Sequence, residues 1–377
     1  MIYLDNSATT KVSKNAADKA LYMMRENFGN PSSLYSLGFS AELEIKKARH
    51  TIALALSSRD GEIFFTSGGT EANNTAILGV ADALKRRGNK IVISAIEHSS
   101  VLEAAQSLEN NGFEVVFAKP DERGVVTSEE VSRLVDEKTI LVSVMLVNNE
   151  IGSIMDVATI AAAARRKSKN VVVHCDAVQG FLKIPVNVGR LGVDVLSVSG
   201  HKISAPKGIG AIYVKKGTRI NPRFFGGEQQ NKFRPGTENS AFIAAFGVAC
   251  EDALKTMAES YKKVKELNAH LVNRLNEIES VTINSNENCL PYIVNFSTNL
   301  VKSETMLHFL EKKEIFVSSG SACAKGKKSH VLSALNLNDK AIDTAIRVSF
   351  NCDNTLEEID ELVSAVKEGI DTLQHIK

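Results

Sequence analysis

Val193-Asp194-Val195-Leu196-Ser197-Val198-Ser199-Gly200-His201-Lys202 sets an apolar, β-branched run directly against a small polar turn. Such a run reads as a buried strand, and the turn after it falls where open α/β sheets gather their ligands, beyond the carboxyl ends of the strands. The same design recurs upstream. Further apolar runs cover 62–66, 90–95, 114–118, 140–146 and 171–174, several of them apolar on both faces as buried parallel strands must be. Helical patterns fill the gaps. Glu71 to Arg87 places Ala72, Ala76, Leu78, Gly79, Ala83 and Leu84 near one face, carries Lys85-Arg86-Arg87 in its last turn and stops at Gly88. Units of roughly thirty residues that alternate in this way predict a mostly parallel sheet with crossover helices.

From Ala241 to about Ile278 the pattern turns long and helical, and shorter strands and helices follow to Lys377. A chain of 377 residues exceeds one ordinary core of about 150, so two domains are expected, with the boundary inside that helix. No repeat, low-complexity tract or Pro-rich linker separates them, so they should pack together around a cleft. With 45 basic and 44 acidic residues, the formal charge of +1 offers no field for nucleic acid or an anionic membrane, which favours a small-molecule ligand. The cysteines Cys175, Cys250, Cys289, Cys323 and Cys352 are odd in number and contain no C-x-x-C pair, so neither a disulfide framework nor a structural zinc site is indicated. The opening Met1-Ile2-Tyr3-Leu4-Asp5 lacks a signal-like charge and apolar stretch, and no run approaches the roughly 18 apolar residues of a membrane span. A cytoplasmic protein is the expectation.

Reading the residues just after each run gives five polar clusters on one sheet edge: Ser67-Gly68-Gly69-Thr70, Glu97-His98, Asn148-Asn149-Glu150, Asp176-Ala177-Val178-Gln179 and Ser199-Gly200-His201-Lys202. The first lets backbone amides approach a phosphate at a helix N-terminus, although a Gly-Gly turn before a capping Thr is also ordinary punctuation. It is not a Walker loop, since no Gly-Lys-Ser/Thr follows. Lys202, after a buried run, is either a solvated loop lysine or an amine in a dry pocket suited to Schiff-base chemistry. Asp176 either caps the next helix or pairs with a pyridinium nitrogen. His98 reads equally as a satisfied core histidine or as an aromatic plate that moves protons.

Two further groups lie in the second segment. Val317-Ser318-Ser319-Gly320-Ser321-Ala322-Cys323-Ala324-Lys325-Gly326-Lys327-Lys328 reads as a mobile loop whose lysines favour the thiolate of Cys323; the other four cysteines read as inert. Arg347, in Ala345-Ile346-Arg347-Val348-Ser349, is either an exposed strand arginine or a bidentate clamp for a substrate carboxylate.

Taken together, these residues closely resemble the NifS/IscS-type cysteine desulfurases, in the class V aminotransferase family of fold-type I pyridoxal-phosphate enzymes. The resemblance also rests on Tyr3-Leu4-Asp5-Asn6, Asn30-Pro31-Ser32-Ser33, Glu71-Ala72-Asn73, Ile151-Gly152 and Arg234-Pro235-Gly236-Thr237-Glu238-Asn239. It implies a large cofactor-binding domain (15–257) with a mostly parallel seven-stranded sheet flanked by helices, and a smaller α+β domain (1–14 and 258–377) carrying the cysteine loop. By the resemblance, Lys202 would carry pyridoxal 5'-phosphate as a Schiff base, Asp176 would face the ring nitrogen, and Gln179 and Asn149 the ring oxygen. His98 would stack on the ring. Gly69, Thr70, Ser199 and His201 would hold the phosphate, with Thr237 reaching it from the other subunit of a homodimer. Arg347 and Asn149 would bind the carboxylate of L-cysteine. Cys323 would take the sulfur as a persulfide, releasing alanine, and pass it to a protein acceptor in iron-sulfur assembly or tRNA thiolation. Tyr35 and Glu228 depart from the family pattern, as does the short stretch between Cys323 and Ser329.

The nearest alternative is selenocysteine cleavage or another β-lyase or aminotransferase reaction on the same fold. A non-catalytic sulfur carrier is disfavoured by the intact set of Lys202, Asp176 and His98, and a Rossmann nucleotide binder by the missing G-x-G-x-x-G turn after the first strand.

Overall fold

The computed structural model describes residues 1–319 and 328–376. The chain opens with strand β1 (Ile2–Tyr3) and helices α1 (Lys14–Arg25) and α2 (Ser36–Leu56). The alternating region follows as β2 (Ile63–Thr66), α3 (Gly69–Leu84), β3 (Lys90–Ser94), α4 (Ser99–Glu109), β4 (Glu114–Ala118), α5 (Ser128–Leu134), β5 (Thr139–Ser143) and α6 (Val157–Lys167). It continues through β6 (Val172–Asp176), α7 (Val188–Leu191), β7 (Val195–Ser199) and β8 (Gly210–Val214). After the 36-residue helix α8 (Ser240–Leu275) come β9 (Thr282–Ile283), β10 (Ile293–Ser297), α9 (Ser303–Lys312), β11 (Ile315–Phe316), α10 (His330–Ala334), α11 (Asp339–Asp343), β12 (Ala345–Ser349) and α12 (Leu356–Thr372).

Strands β2 to β8 form one seven-stranded sheet in the order β2-β8-β7-β6-β5-β3-β4. Strand β8 runs antiparallel to both neighbours and every other adjacent pair is parallel, which is the mostly parallel architecture expected. Six of the seven strands fall on the apolar runs, with ends displaced by at most three residues and β4 coinciding with its run. Strand β8 escaped the pattern because it returns beside β7 after a short excursion, without the intervening helix that sets the thirty-residue period. Its first residue explains a glycine: a Cβ on Gly210 would lie 2.8 Å from the Cα of Gly68, so only two glycines let these segments approach.

The second segment builds a three-stranded antiparallel sheet, β12-β10-β9, while β11 pairs in parallel with β1. The chain's first residues thus pack with its last third, and Asp5 bridges to Ser349. One apolar core runs through both parts, from Leu4, Val142 and Val173 to Phe246, Phe296 and Ile346. A second cluster, including Ile77, Val80, Ile91 and Ile212, lies under α3 and α4. Among the described residues no helix is long and apolar enough to cross a membrane.

Helices α2 and α8 touch at Gly247, where a Cβ would sit 2.6 Å from the Cβ and 2.7 Å from the Cα of Ala48. Helix propensity alone makes Gly247→Ala stabilising, by up to about 1 kcal/mol. The packing reverses that sign: Gly247→Ala should destabilise by about 1–3 kcal/mol, read as a lower urea midpoint at unchanged slope. A variant as stable as the parent would contradict this contact.

Candidate active site

Turns at the carboxyl ends of the strands enclose a cavity of about 800 Å³. Gly69 and Thr70 line it from the start of α3, His98 from the start of α4, and Asn149 from the loop after β5. Asp176 and Gln179 enter from β6, Ser199, His201 and Lys202 from β7, and Arg347 from β12 of the small sheet. The five polar clusters therefore meet, and the second segment supplies the opposite wall.

Asp176 is the buried carboxylate at the centre of this arrangement. Its Oδ1 accepts from the Val178 N–H (2.9 Å) and its Oδ2 from the Asn73 amide (2.7 Å), so burial leaves it satisfied. Nearby Glu97 is fully enclosed. Burial, and then the Asp176 carboxylate, push it well above the usual range, and its Oε1 accepts from the Met145 N–H at 2.5 Å. The upward shift favours the neutral form of Glu97, which eases its repulsion of Asp176.

A chain of side chains ties Asp176 to His98. Asn73 also donates to Ser100 Oγ (2.9 Å), which lies 2.8 Å from His98 Nδ1. The Ser100 N–H donates to that same Nδ1 at 3.1 Å, making His98 the N-cap of α4 and leaving the proton of its neutral ring on Nε2. Burial, outweighing the attraction of Asp176, holds the ring's pKa below the ordinary value. His98 is thus neither a plain core residue nor a solvated one.

The start of α3 is built to receive an anion. Gly68 takes φ 151°, a conformation open to glycine, and the N–H groups of the first helical turn have no acceptor within the helix. A Cβ at Gly69 would lie 3.0 Å from the Val178 Cγ2, a tight contact that the valine would have to relieve. Ser199 Oγ is buried without a hydrogen-bond partner, as is Asn73 Oδ1. His201 adds a ring whose pKa burial, and then Lys202, press down to about 4, so it is neutral at pH 7.

Lys202 reaches the first residues of the chain: its Nζ donates to the carbonyl oxygens of Ser7 (2.5 Å) and Ala8 (2.7 Å). Arg347 is buried rather than exposed, with Nη2 on Asp5 Oδ1 (2.7 Å) and Nη1 on the Asn149 carbonyl (2.9 Å). Its Nε is a buried donor with no partner. Burial removes the exposed-strand reading of this arginine.

One expected residue is not brought into the cavity, and another is not described. Thr237 is exposed and does not line it. Cys323 lies outside the described residues; of its neighbouring lysines, Lys328 is paired with Asp339 at 2.7 Å. Of the other cysteines, burial pushes Cys175 and Cys250 up strongly and Cys289 to about 11, in keeping with inert thiols. Residues without an assigned role in the sequence also matter here. Asn73 and Ser100 carry the Asp176 to His98 chain; Asn73 entered the sequence reading only as part of the motif Glu71-Ala72-Asn73. Glu150, raised to about 7 by burial, accepts from Ser329 Oγ at 2.5 Å, and His330 meets the Glu97 carbonyl at 3.0 Å.

Known proteins resemble this chain over nearly its whole length. Residues 2–362 match the family model described as Aminotransferase class-V. Cysteine desulfurase IscS of Methanosarcina thermophila is 39% identical over an alignment covering 100% of this chain and 93% of that protein. The enzyme of the same name from Escherichia coli O139:H28 is also 39% identical, covering 100% and 94%. Among solved structures, a NifS-like protein superposes with a TM-score of 0.94 at 36% identity over 99% of this chain and 100% of that one. A NifS-like protein from Rickettsia africae gives 0.89 at 32% identity, again over 99% and 100%. On the full-length match and the site that accompanies it, the chain belongs to the class-V aminotransferase family, among the cysteine desulfurases of the IscS/NifS type.

Proposed function

We propose that this cysteine desulfurase uses pyridoxal phosphate held by Lys202 to take sulfur from L-cysteine, leaving alanine and a persulfide on Cys323 that passes to a protein acceptor in iron-sulfur assembly or tRNA thiolation. The observation that carries the reading is the cavity in which the Lys202 amine, the Asp176 carboxylate, the Arg347 guanidinium and an open helix N-terminus meet. Class-V aminotransferases are typically pyridoxal-phosphate-dependent, and one related structure, 31% identical with a TM-score of 0.83, is titled SspA in complex with cysteine.

The donor set suits that cofactor. The unpartnered Ser199 Oγ, the first turn of α3 at Gly69 and Thr70, and His201 would hold its phosphate; Asp176 would face the ring nitrogen, Gln179 and Asn149 the ring oxygen, and His98 the ring plane. When bound, the group supplies an electron sink for the substrate's α-carbon. Arg347, with its spare Nε, and Asn149 would orient the substrate carboxylate. The Lys202 amine would take the α-proton, and His98 Nε2–H would donate a proton where one is needed. The Cys323 thiolate would attack the substrate sulfur.

Thr237 would act from a second copy of the chain, since it is exposed and lies outside its own cavity. A homodimer is further supported by the exposed apolar side chains of Leu21, Met24, Phe28, Leu34, Tyr35 and Phe39 in and around α1 and α2. The pairing of β1 with β11 supports grouping 1–14 with 258–377 as one lobe against 15–257. Cytoplasmic residence fits the four described cysteines, all free.

Incubated with L-cysteine and pyridoxal phosphate, the wild type should yield alanine together with a persulfide mapped by mass to Cys323. Cys323→Ser should keep the cofactor's colour and form no persulfide; unchanged sulfur transfer by that variant would remove Cys323 from the reaction. Arg347→Lys should raise KM for L-cysteine by about 10- to 100-fold, the worth of a lost charge-assisted hydrogen bond. An unaltered KM would place the carboxylate elsewhere.

A further inference from the structure

Lys183 lies behind the cavity, does not line it, and is buried with no ion pair among the described residues. A buried amine without a carboxylate is costly, and an apolar residue would pack there at no such expense. Its position is also enforced by unusual backbone. Gly180 allows no Cβ, which would meet Leu146 Cδ2 at 2.7 Å, and Leu182 takes φ 58°, a left-handed conformation that a branched residue rarely adopts. The tight turn between them, with the Lys183 and Ile184 N–H groups both on the Gly180 carbonyl, carries Lys183 to its buried position.

Its Nζ donates to Gln179 Oε1 at 3.1 Å and lies 5.5 Å from the centre of the Tyr292 ring. Gln179 Nε2 in turn donates to the Ser7 carbonyl at 3.0 Å, and that oxygen also accepts from Lys202 Nζ at 2.5 Å. One hydrogen-bonded chain therefore joins the two lysines. An amide presents an acceptor at one end and donors at the other, an ammonium only donates and a carbonyl only accepts, so Lys183 and the Ser7 carbonyl together fix which end of Gln179 points where. Burial first, then Lys202 and Arg347, bring the Lys183 pKa down to about 7, which places both of those basic groups within electrostatic reach of it.

We infer that Lys183 is a positioning residue for the desulfurase reaction: it engages Gln179 Oε1, so that Gln179 offers only N–H groups to the Ser7 carbonyl and to the cavity, and it thereby holds the Lys202 anchor. The inference rests on the proposed reading that pyridoxal phosphate is bound at Lys202. A ligand oxygen beside Gln179 then always meets a donor. Without Lys183 only the Ser7 carbonyl, which accepts from Gln179 Nε2, opposes the turned-over amide that would present a carbonyl to that oxygen.

The test is a pH titration of the visible absorbance of the holoenzyme in the wild type, Lys183→Met, Lys183→Arg, Gln179→Leu and the double variant Lys183→Met with Gln179→Leu. Lys183→Met should move the midpoint by about one unit, tenfold in acidity. Lys183→Arg, which keeps donors only, should restore it, and in the Gln179→Leu background Lys183→Met should add nothing. Additive shifts, or a Lys183→Met midpoint equal to that of the wild type, overturn the inference. If Lys183→Met does not fold, Lys183→Arg against Lys183→Gln supplies the same comparison. A wild type that takes up no pyridoxal phosphate overturns the underlying reading and this inference with it, whereas uptake with additive variants overturns the inference alone.

Discussion

Asp176 ends a strand that is buried throughout, and a carboxylate in that position is tolerable only when every demand it makes is met. The Val178 N–H and the Asn73 amide meet two of them directly. Glu97, close enough to repel it, has its pKa driven up by its own burial, which lessens that repulsion. The consequence reaches outward: Asn73 is shared with Ser100, Ser100 orients His98, and the tautomer of His98 follows from that contact. A single buried anion thereby fixes the orientation of a ring on the far side of the cavity.

The basic wall is assembled from the chain's two ends. Ser7 and Ala8 give their carbonyls to Lys202, Thr9 Oγ1 lies 3.2 Å from His201 Nδ1, and Asp5 pairs with Arg347 on β12. Strand β1, paired with β11, threads this segment between the large sheet and the small one. The amine after β7 and the guanidinium on β12 are consequently held by neighbouring residues of one short stretch. This also explains how Arg347 is buried without strain in its charge: the Asp5 carboxylate and the Asn149 carbonyl take two of its three donor groups, and Nε remains.

Much of this was legible from the residues. Five apolar runs and the one before Lys202 located six strands of the sheet, because buried parallel strands must be apolar on both faces and the turns after them must converge. What escaped was whatever broke that period or depended on distant contacts. Strand β8 follows β7 too soon to look like another strand-helix unit, and the two-residue strands β1 and β11 exist only because they pair with each other. Burial of Arg347 was undecided in sequence, since its partner Asp5 is 342 positions away. Lys183 gave only a faint signal, a lysine after the apolar Phe181-Leu182, and its contact with Gln179 depends on a left-handed turn that no composition rule anticipates.

The central claim is that the amine of Lys202, and not its buried neighbour Lys183, is the one that faces the reactive space. Reduction of the pyridoxal-phosphate-loaded protein with borohydride, followed by digestion and mass mapping, tests it directly. The account predicts a single pyridoxyl-modified peptide carrying Lys202. Modification of Lys183, or of surface lysines alone, would contradict it.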